Sequence, residues 1–208
     1  MNLLQTIDQF FMQQGSVYQT LENLARNLTR AGIDYAIVGG MALVLHGYIR
    51  TTQDVDILLS REGLAAFQRS LLGRGFVPAF PGATRMFRDS QTGVVVEVLV
   101  SGEFPGDGKP KPVAFPDPTI VAIQRDNIKV VSLTTLIELK LASGISALDR
   151  LKDLADVQEL IRALDLPADL AEGLDASVRQ TYLQLWSAID QAKSNRHDWR
   201  VFPAYAKS

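Results

Sequence analysis

Two aspartates, one residue apart, open an apolar run at Asp54-Val55-Asp56-Ile57-Leu58-Leu59. Side chains alternate along a strand, so Asp54 and Asp56 share one face while Val55 and Ile57 share the other. The run therefore demands a sheet with one face in a core and two carboxylates side by side on the opposite face. Shielded from water, two such charges repel and resist desolvation. A divalent cation between them removes both problems, and ligand sets made only of oxygen select hard ions such as Mg²⁺ or Mn²⁺. The plain alternative is a strand end at which both aspartates are simply solvated.

The surrounding pattern gives this strand its neighbours. Val17, Leu21, Leu24, Ala25 and Leu28 recur at helical spacing before Gly32, and predict an amphipathic helix. Tyr35 to Val38 predicts a short buried strand ending at Gly39-Gly40, and Met41 to His46 a short helix that stops at Gly47. After the aspartate strand, Ser60 is placed to cap a helix striped by Leu64, Phe67, Leu71 and Leu72, which Gly73 and Gly75 end. Phe76 begins another extended segment. Met86-Phe87 and Val94 to Val100 flank Asp89 to Gly93 as the arms of a hairpin. Residues 101–118 are rich in Gly and Pro and predict a long loop. Ile128 to Val131 reads as the last strand. The pattern is helical from Leu133 through Leu164, and again from Ala168 to about Ala192. The order predicts a mixed α/β (α+β) fold: a core with a mixed sheet over residues 1–140, then a helical C-terminal region over 141–208 packed on it. The boundary falls near residues 132–146.

Composition closes off several functions. The 208 residues contain no cysteine and only two histidines, His46 and His197, which excludes disulfides and thiolate metal sites and disfavours zinc. A formal net charge of −2 argues against a protein whose whole surface is a footprint for nucleic acid, though a local basic patch stays open. No stretch is apolar enough for a membrane span, and Met1 to Gly15 lacks the basic n-region of a signal peptide. The expected setting is cytoplasmic.

Further residues join the aspartate pair. Gly39-Gly40, between a strand and a helix, lets the backbone approach a phosphate, with the helix N-terminus supplying N–H donors. Ordinary tight turns use glycine too. Glu97 interrupts a run of valines from Val94 to Val100, and a carboxylate there needs a cation or an arginine such as Arg88, unless its face is open to water. On a functional reading Glu97 is a third metal ligand, or the base that deprotonates an attacking hydroxyl. Lys140 lies among Leu133, Leu136, Ile137 and Gly144 on one helix face, where a lysine often only snorkels. In the next helix Asp153 and Asp156 share a face, and Lys152 can pair with Asp156. Arg50 can hold a phosphate bidentately or brace its own loop. Lys109 and Lys111 could meet an acceptor but are also ordinary loop charges, and Trp186 and Trp199 read as core or interface residues.

The stretch from Val38 to Leu59, with its glycine pair, Arg50, Thr52 and Asp-x-Asp, resembles the nucleotidyltransferase AbiEii family and its relatives in the polymerase-β-like superfamily. So does the later combination of Lys140 with Arg150-Leu-Lys-Asp-Leu-Ala-Asp156. The resemblance implies a polymerase-β-like nucleotidyltransferase core and transfer of a nucleoside monophosphate from an NTP to an acceptor. Asp54, Asp56 and Glu97 would ligate Mg²⁺ (or Mn²⁺), and Lys140 would contact a substrate phosphate. Gly39, Gly40, Arg50, Thr52, Lys152 and Asp153 would line the nucleotide site. The implied acceptor is RNA, tRNA first, with a protein or small molecule next, and a toxin–antitoxin or phage-defence setting implies a cognate partner protein. Three departures stand out: the superfamily has Gly-Ser where this chain has Gly39-Gly40, a small hydroxyl residue where it has Met41, and Asp where it has Glu97. The first and the last favour the rival expectation of a non-catalytic nucleotide-binding or interaction protein on the same fold.

Overall fold

A computed structural model describes the backbone of residues 15–198 and the side chains of residues 15–193. The expectations for residues 1–14, for the side chain of His197 and for Trp199 lie outside the described residues. In chain order the elements are α1 (Ser16–Arg30), β1 (Ala36–Val38), α2 (Gly39–Leu45), β2 (Asp54–Leu59), α3 (Arg61–Leu71), β3 (Phe76–Pro78), β4 (Met86–Asp89) and β5 (Val95–Val100). There follow α4 (Pro118–Val121), β6 (Ala122–Arg125), β7 (Ile128–Val131), α5 (Leu133–Ser146), a 3₁₀ turn (Leu148–Arg150), α6 (Leu151–Leu164), a second 3₁₀ turn (Ala168–Gly173) and α7 (Ala176–Asp198).

Seven strands form one mixed sheet in the order β3-β4-β5-β2-β1-β7-β6. The pairs β2–β5 and β1–β7 are parallel and the rest antiparallel. The alternation at Asp54 to Leu59 works as the sequence demands: Val55 and Ile57 are fully buried, while Asp54 and Asp56 are only partly covered. Helices α1 and α3 cover the Val55 face. There Phe67 of α3 packs its ring against Phe76 and Phe87, with centroids 5.5 and 4.7 Å apart. Helix α1 is tied to the β4–β5 turn by Asn23, which donates to the buried Asp89 carboxylate, and by a Thr20–Thr92 hydroxyl pair. The core these layers enclose is continuous with the helical part, since Leu136, Ile137, Val157, Leu160, Val178 and Tyr182 join it. Among the described residues no helix is long and apolar enough to cross a membrane.

One strand is absent from the sequence expectations. Residues 122–125 form a strand, β6, paired with β7 in a hairpin turned at Asp126. Its half-exposed edge position leaves no buried stripe for periodicity to reveal. The helical stretch from Leu133 to Leu164 is broken at Ala147, whose backbone is extended, so α5 and α6 fold back on each other. At their crossing Gly144 makes room: a Cβ there would stand 2.6 Å from Leu154 Cγ. Helix α5 itself runs unbroken through residues 140 and 141, where core and helical region were expected to part. It is buried nearly all round, as a helix wedged between a sheet and other helices must be.

Candidate functional site

The parallel register of β2 and β5 sets Asp56 directly beside Glu97, so the carboxylates of Asp54, Asp56 and Glu97 stand on the same sheet face. That face floors a cleft of about 240 Å³. Gly39 and Gly40 close one end, and Lys140, Ser143, Asp153 and Asp156 of α5 and α6 form the facing wall. Pro105 and Phe115 bring the long loop to its rim. Every site residue expected from the sequence lines this one cleft: Asp54, Asp56, Glu97, Lys140, Gly39, Gly40, Arg50, Thr52, Lys152 and Asp153.

The glycine turn is shaped first of all by a carboxylate. Gly39 has φ +61°, and a Cβ on it would lie 1.8 Å from Asp56 Oδ2. A Cβ on Gly40 would lie 2.6 Å from Thr52 Oγ1. The backbone N–H of Gly40 donates to Asp56, and the Thr52 hydroxyl donates to Asp54 Oδ1 at 2.8 Å. Gly39 is thus constrained by Asp56 of β2 and Gly40 by Thr52 in the loop before it, whatever else the turn binds.

The opposite wall is an ion network. Lys140, only 7% exposed, donates to Asp153 Oδ1 at 2.9 Å and to Asp156 Oδ2 at 2.7 Å. The other Asp156 oxygen accepts from Arg50 Nη1 at 2.5 Å, and the other Asp153 oxygen from the Ser143 hydroxyl at 2.6 Å. The expected Lys152–Asp156 pair is therefore replaced. Asp156 is 5% exposed and faces inward toward Lys140 and Arg50, whereas Lys152 is exposed at the cleft mouth. The suggested Arg88–Glu97 pair does not form either, because Arg88 turns to the Gly93 carbonyl. The sequence offers Asp156 only as a partner for Lys152. Its i, i+3 spacing from Asp153 is visible there, but not that α6 turns both carboxylates onto a buried lysine of α5.

Electrostatics separate the two walls. Desolvation, reinforced by Asp54 and Glu97, pushes the Asp56 carboxyl up to about 7, against smaller opposing effects of Lys140 and the Gly40 N–H. Burial also works to raise Asp153, but Lys140, the Ser143 hydroxyl and Arg150 outweigh it and its pKa is lowered. The sheet side thus holds charge that the protein itself does not balance. Its donor set is all carboxylate, which suits a hard divalent cation. Among the described residues, however, no three His, Asp or Glu side chains are already gathered into a metal-holding group.

A mixed sheet thus sets paired strand carboxylates beside a glycine turn, faced by cationic side chains on helices, in one cleft. Over residues 1–187 the chain matches the model of a family described as uncharacterised nucleotidyltransferase, and it belongs to that family. No functionally curated protein matches it. Among solved structures, a candidate nucleotidyltransferase of Thermotoga maritima is 16% identical with a TM-score of 0.46, over 69% of this chain and 91% of that one. An antigenic nucleotidyltransferase-like protein of Paracoccidioides brasiliensis is 17% identical with a TM-score of 0.49, over 86% and 89%. A candidate nucleotidyltransferase of Helicobacter pylori is 15% identical with a TM-score of 0.47, over 87% and 95%.

Proposed function

We propose that this member of the nucleotidyltransferase family is an active, metal-dependent enzyme that transfers a nucleoside monophosphate from an NTP to an acceptor hydroxyl and releases pyrophosphate. One observation carries the reading: Asp54, Asp56 and Glu97 face the glycine turn and a cation-bearing helical wall in a single cleft. Asp54 and Asp56 would hold Mg²⁺ (or Mn²⁺), with Glu97 completing the set, and an ion would draw these carboxylates together rather than find them assembled. When bound, the cation neutralises phosphate charge and favours ionisation of the acceptor hydroxyl. The chain's own residues do the rest. Thr52 orients Asp54 through its hydroxyl. Asp156 and Asp153 hold Lys140 and Arg50 in place, and the N–H donors these cations retain can serve phosphate oxygens. Lys152, at the mouth and without a carboxylate partner among the described residues, takes the outer phosphate. By likeness to AbiEii-type relatives, the acceptor is RNA, tRNA first, the compartment is the cytoplasm, and the setting is a toxin–antitoxin or defence pair with a partner protein.

A second reading, a non-catalytic nucleotide-binding or interaction protein, is favoured by one observation. The Gly40 N–H and Lys140, both expected to hold phosphate, already have acidic partners within the protein. Thermal shift with Mg²⁺, each of the four NTPs and their combinations separates the two, together with transfer of label from NTP to total RNA. A ligand that binds only the folded state stabilises it by about 2.7 kcal/mol at 100-fold excess over its Kd. The enzyme reading expects Mg²⁺ and NTP together to stabilise more than the sum of each alone, and Asp54→Ala or Asp56→Ala to erase that excess. Ordinary additive shifts and no labelled product would leave the non-catalytic reading standing.

A further inference from the structure

The same cleft has an apolar end. Val95, Glu97 and Leu99 of β5 share the cleft face, because Val96, Val98 and Val100 are buried on the other side of the sheet. Leu99 lies two residues beyond Glu97, beside Leu58 of β2, on the side away from Asp54. It is half-buried and lines the cleft. Phe115 joins it there, because the long loop returns alongside the end of β5: Gly102 N–H donates to the Phe115 carbonyl at 2.8 Å, and Phe115 N–H to the Glu103 carbonyl at 2.7 Å. Pro105, from the same loop, and Leu139 of α5 add two more apolar side chains to the lining.

The loop that supplies Pro105 and Phe115 is fixed at both limbs. Gly106, at φ +74°, lies so close to α5 that a Cβ on it would stand 2.1 Å from Ser146 Oγ and 2.8 Å from the Ser143 carbonyl oxygen. Lys111 donates to the Pro105 carbonyl and to Asp107 Oδ1, each at 2.5 Å, so this lysine is spent on its own loop rather than offered to an acceptor. Arg85 grips the Glu103 carboxylate with both of its terminal nitrogens. The apolar end is therefore a built wall, and its side chains are hydrocarbon. The one hydroxyl beside it that also lines the cleft, on Ser143, is given to Asp153.

The order of chemistry along the cleft is linear. Gly39 presses on Asp56, Asp56 lies beside Glu97, and Leu99 follows Glu97 by two residues. Strand and residue spacings make this diagonal about 14 Å long. It runs from a glycine turn, across the carboxylates, to hydrocarbon. A metal-bound triphosphate cannot fill the last part, because charged oxygens set against hydrocarbon lose their hydration without compensation. A nucleobase can, since every base offers flat π-faces, and it stands at the opposite end of an NTP from the terminal phosphate. We propose that Leu99 and Phe115, with Pro105 of the loop, seat the base of the nucleotide and recognise it by packing rather than by hydrogen bonds. The inference rests on the transferase reading for the presence of an NTP. Packing alone favours the larger faces of purines and does not read their exocyclic groups.

Titration calorimetry of the full chain with Mg²⁺ tests it, using three probes: ATP, purine ribonucleoside triphosphate, which lacks exocyclic groups, and an abasic 1-deoxyribose 5-triphosphate. ATP should bind at least about tenfold more tightly than the abasic probe, and the purine probe should match ATP within about twofold. Leu99→Phe, which fills the end, and Leu99→Ala, which strips it, should each weaken ATP binding about tenfold and leave the abasic probe unchanged. Unchanged abasic binding, together with a melting curve, shows that each variant is folded. If the abasic probe binds wild type as tightly as ATP does, the base seat is wrong while the phosphate and metal part of the transferase reading stands. The seat is equally wrong if both Leu99 variants keep the full advantage of ATP, or if UTP binds more tightly than ATP. A purine probe tenfold weaker than ATP would overturn recognition by packing. If no triphosphate binds with Mg²⁺ present, the transferase reading itself fails and this inference falls with it.

Discussion

The two walls of the cleft carry almost the same side-chain chemistry and solve opposite problems. On the helical wall, one buried and one half-buried carboxylate meet two cations, and Asp153 and Asp156 have all four of their oxygens engaged by Lys140, Arg50 and Ser143. On the sheet wall, three carboxylates share a face with no cation paired to them, and Asp56 is driven toward neutrality by burial first and by Asp54 and Glu97 next. One wall balances its own charge; the other does not. Buried charge, then, is not by itself a sign of a binding site. What distinguishes the sheet wall is that its charge is left unbalanced where solvent can still enter.

The strongest blow to this contrast is Asp156→Ala. It strips Lys140 and Arg50 of a shared partner in a buried setting, and breaking one side of such a network costs about 3–5 kcal/mol. Urea denaturation should show that loss, and Lys140→Met in the same background should recover part of it by removing the orphaned charge. No loss would mean that the helical wall is not a closed network.

The next largest effect has the opposite sign. Because the Asp56 carboxyl is raised to about 7 from its ordinary value of 3.8, the folded protein keeps a proton that the unfolded chain has released. Stability therefore falls as pH rises from about 4 to about 7, and stays lowered above that. Asp56→Asn should thus stabilise the metal-free protein at pH 8, by up to about 1.4 kcal/mol for every tenfold by which the fold tightens proton binding at this carboxyl, and leave it unchanged at pH 3.5. Melting curves across pH measure this, and added Mg²⁺ should flatten the wild-type dependence. If Asp56→Asn destabilises the protein at pH 8, the sheet wall is not electrostatically strained.

The smallest effect on stability should come from Lys152→Ala. An exposed side chain away from any packed network changes stability by less than about 0.5 kcal/mol. The same change should weaken NTP binding up to about tenfold in a titration with Mg²⁺ present. That would sharpen the contrast by showing that the free cation at the mouth, rather than the two locked ones inside, meets the outer phosphate first. Equal NTP affinity in variant and wild type would assign that contact elsewhere.

The sheet wall is far more legible in the sequence than the helical one. Asp54 and Asp56 announce their shared face because strand alternation is local, and Glu97 stands out against valines for the same reason. Gly39 and Gly40 are legible as a turn, but their tightest constraint, the Asp56 and Thr52 side chains, comes from a part of the chain about a dozen residues or more away. Strand β6 escapes a sequence reading because an edge strand with half-exposed side chains leaves no buried stripe. The true partners of Asp156 escape it because helical spacing says which residues share a face but not what that face meets.

By itself, then, the sequence determined most of the elements, the placement of the carboxylates along β2 and β5, and the exclusion of thiol and histidine-rich metal chemistry. These follow from periodicities of two and 3.6 residues and from composition, all of which act over short range. Tertiary structure alone decided that β5 pairs with β2 in the register that sets Glu97 beside Asp56 and Val95 beside Asp54. It likewise decided that Arg50, Lys140, Asp153 and Asp156 neutralise one another. Register between distant strands and the meeting of two helices depend on how the whole core closes, and no local pattern encodes which of several compatible partners a charged side chain will find.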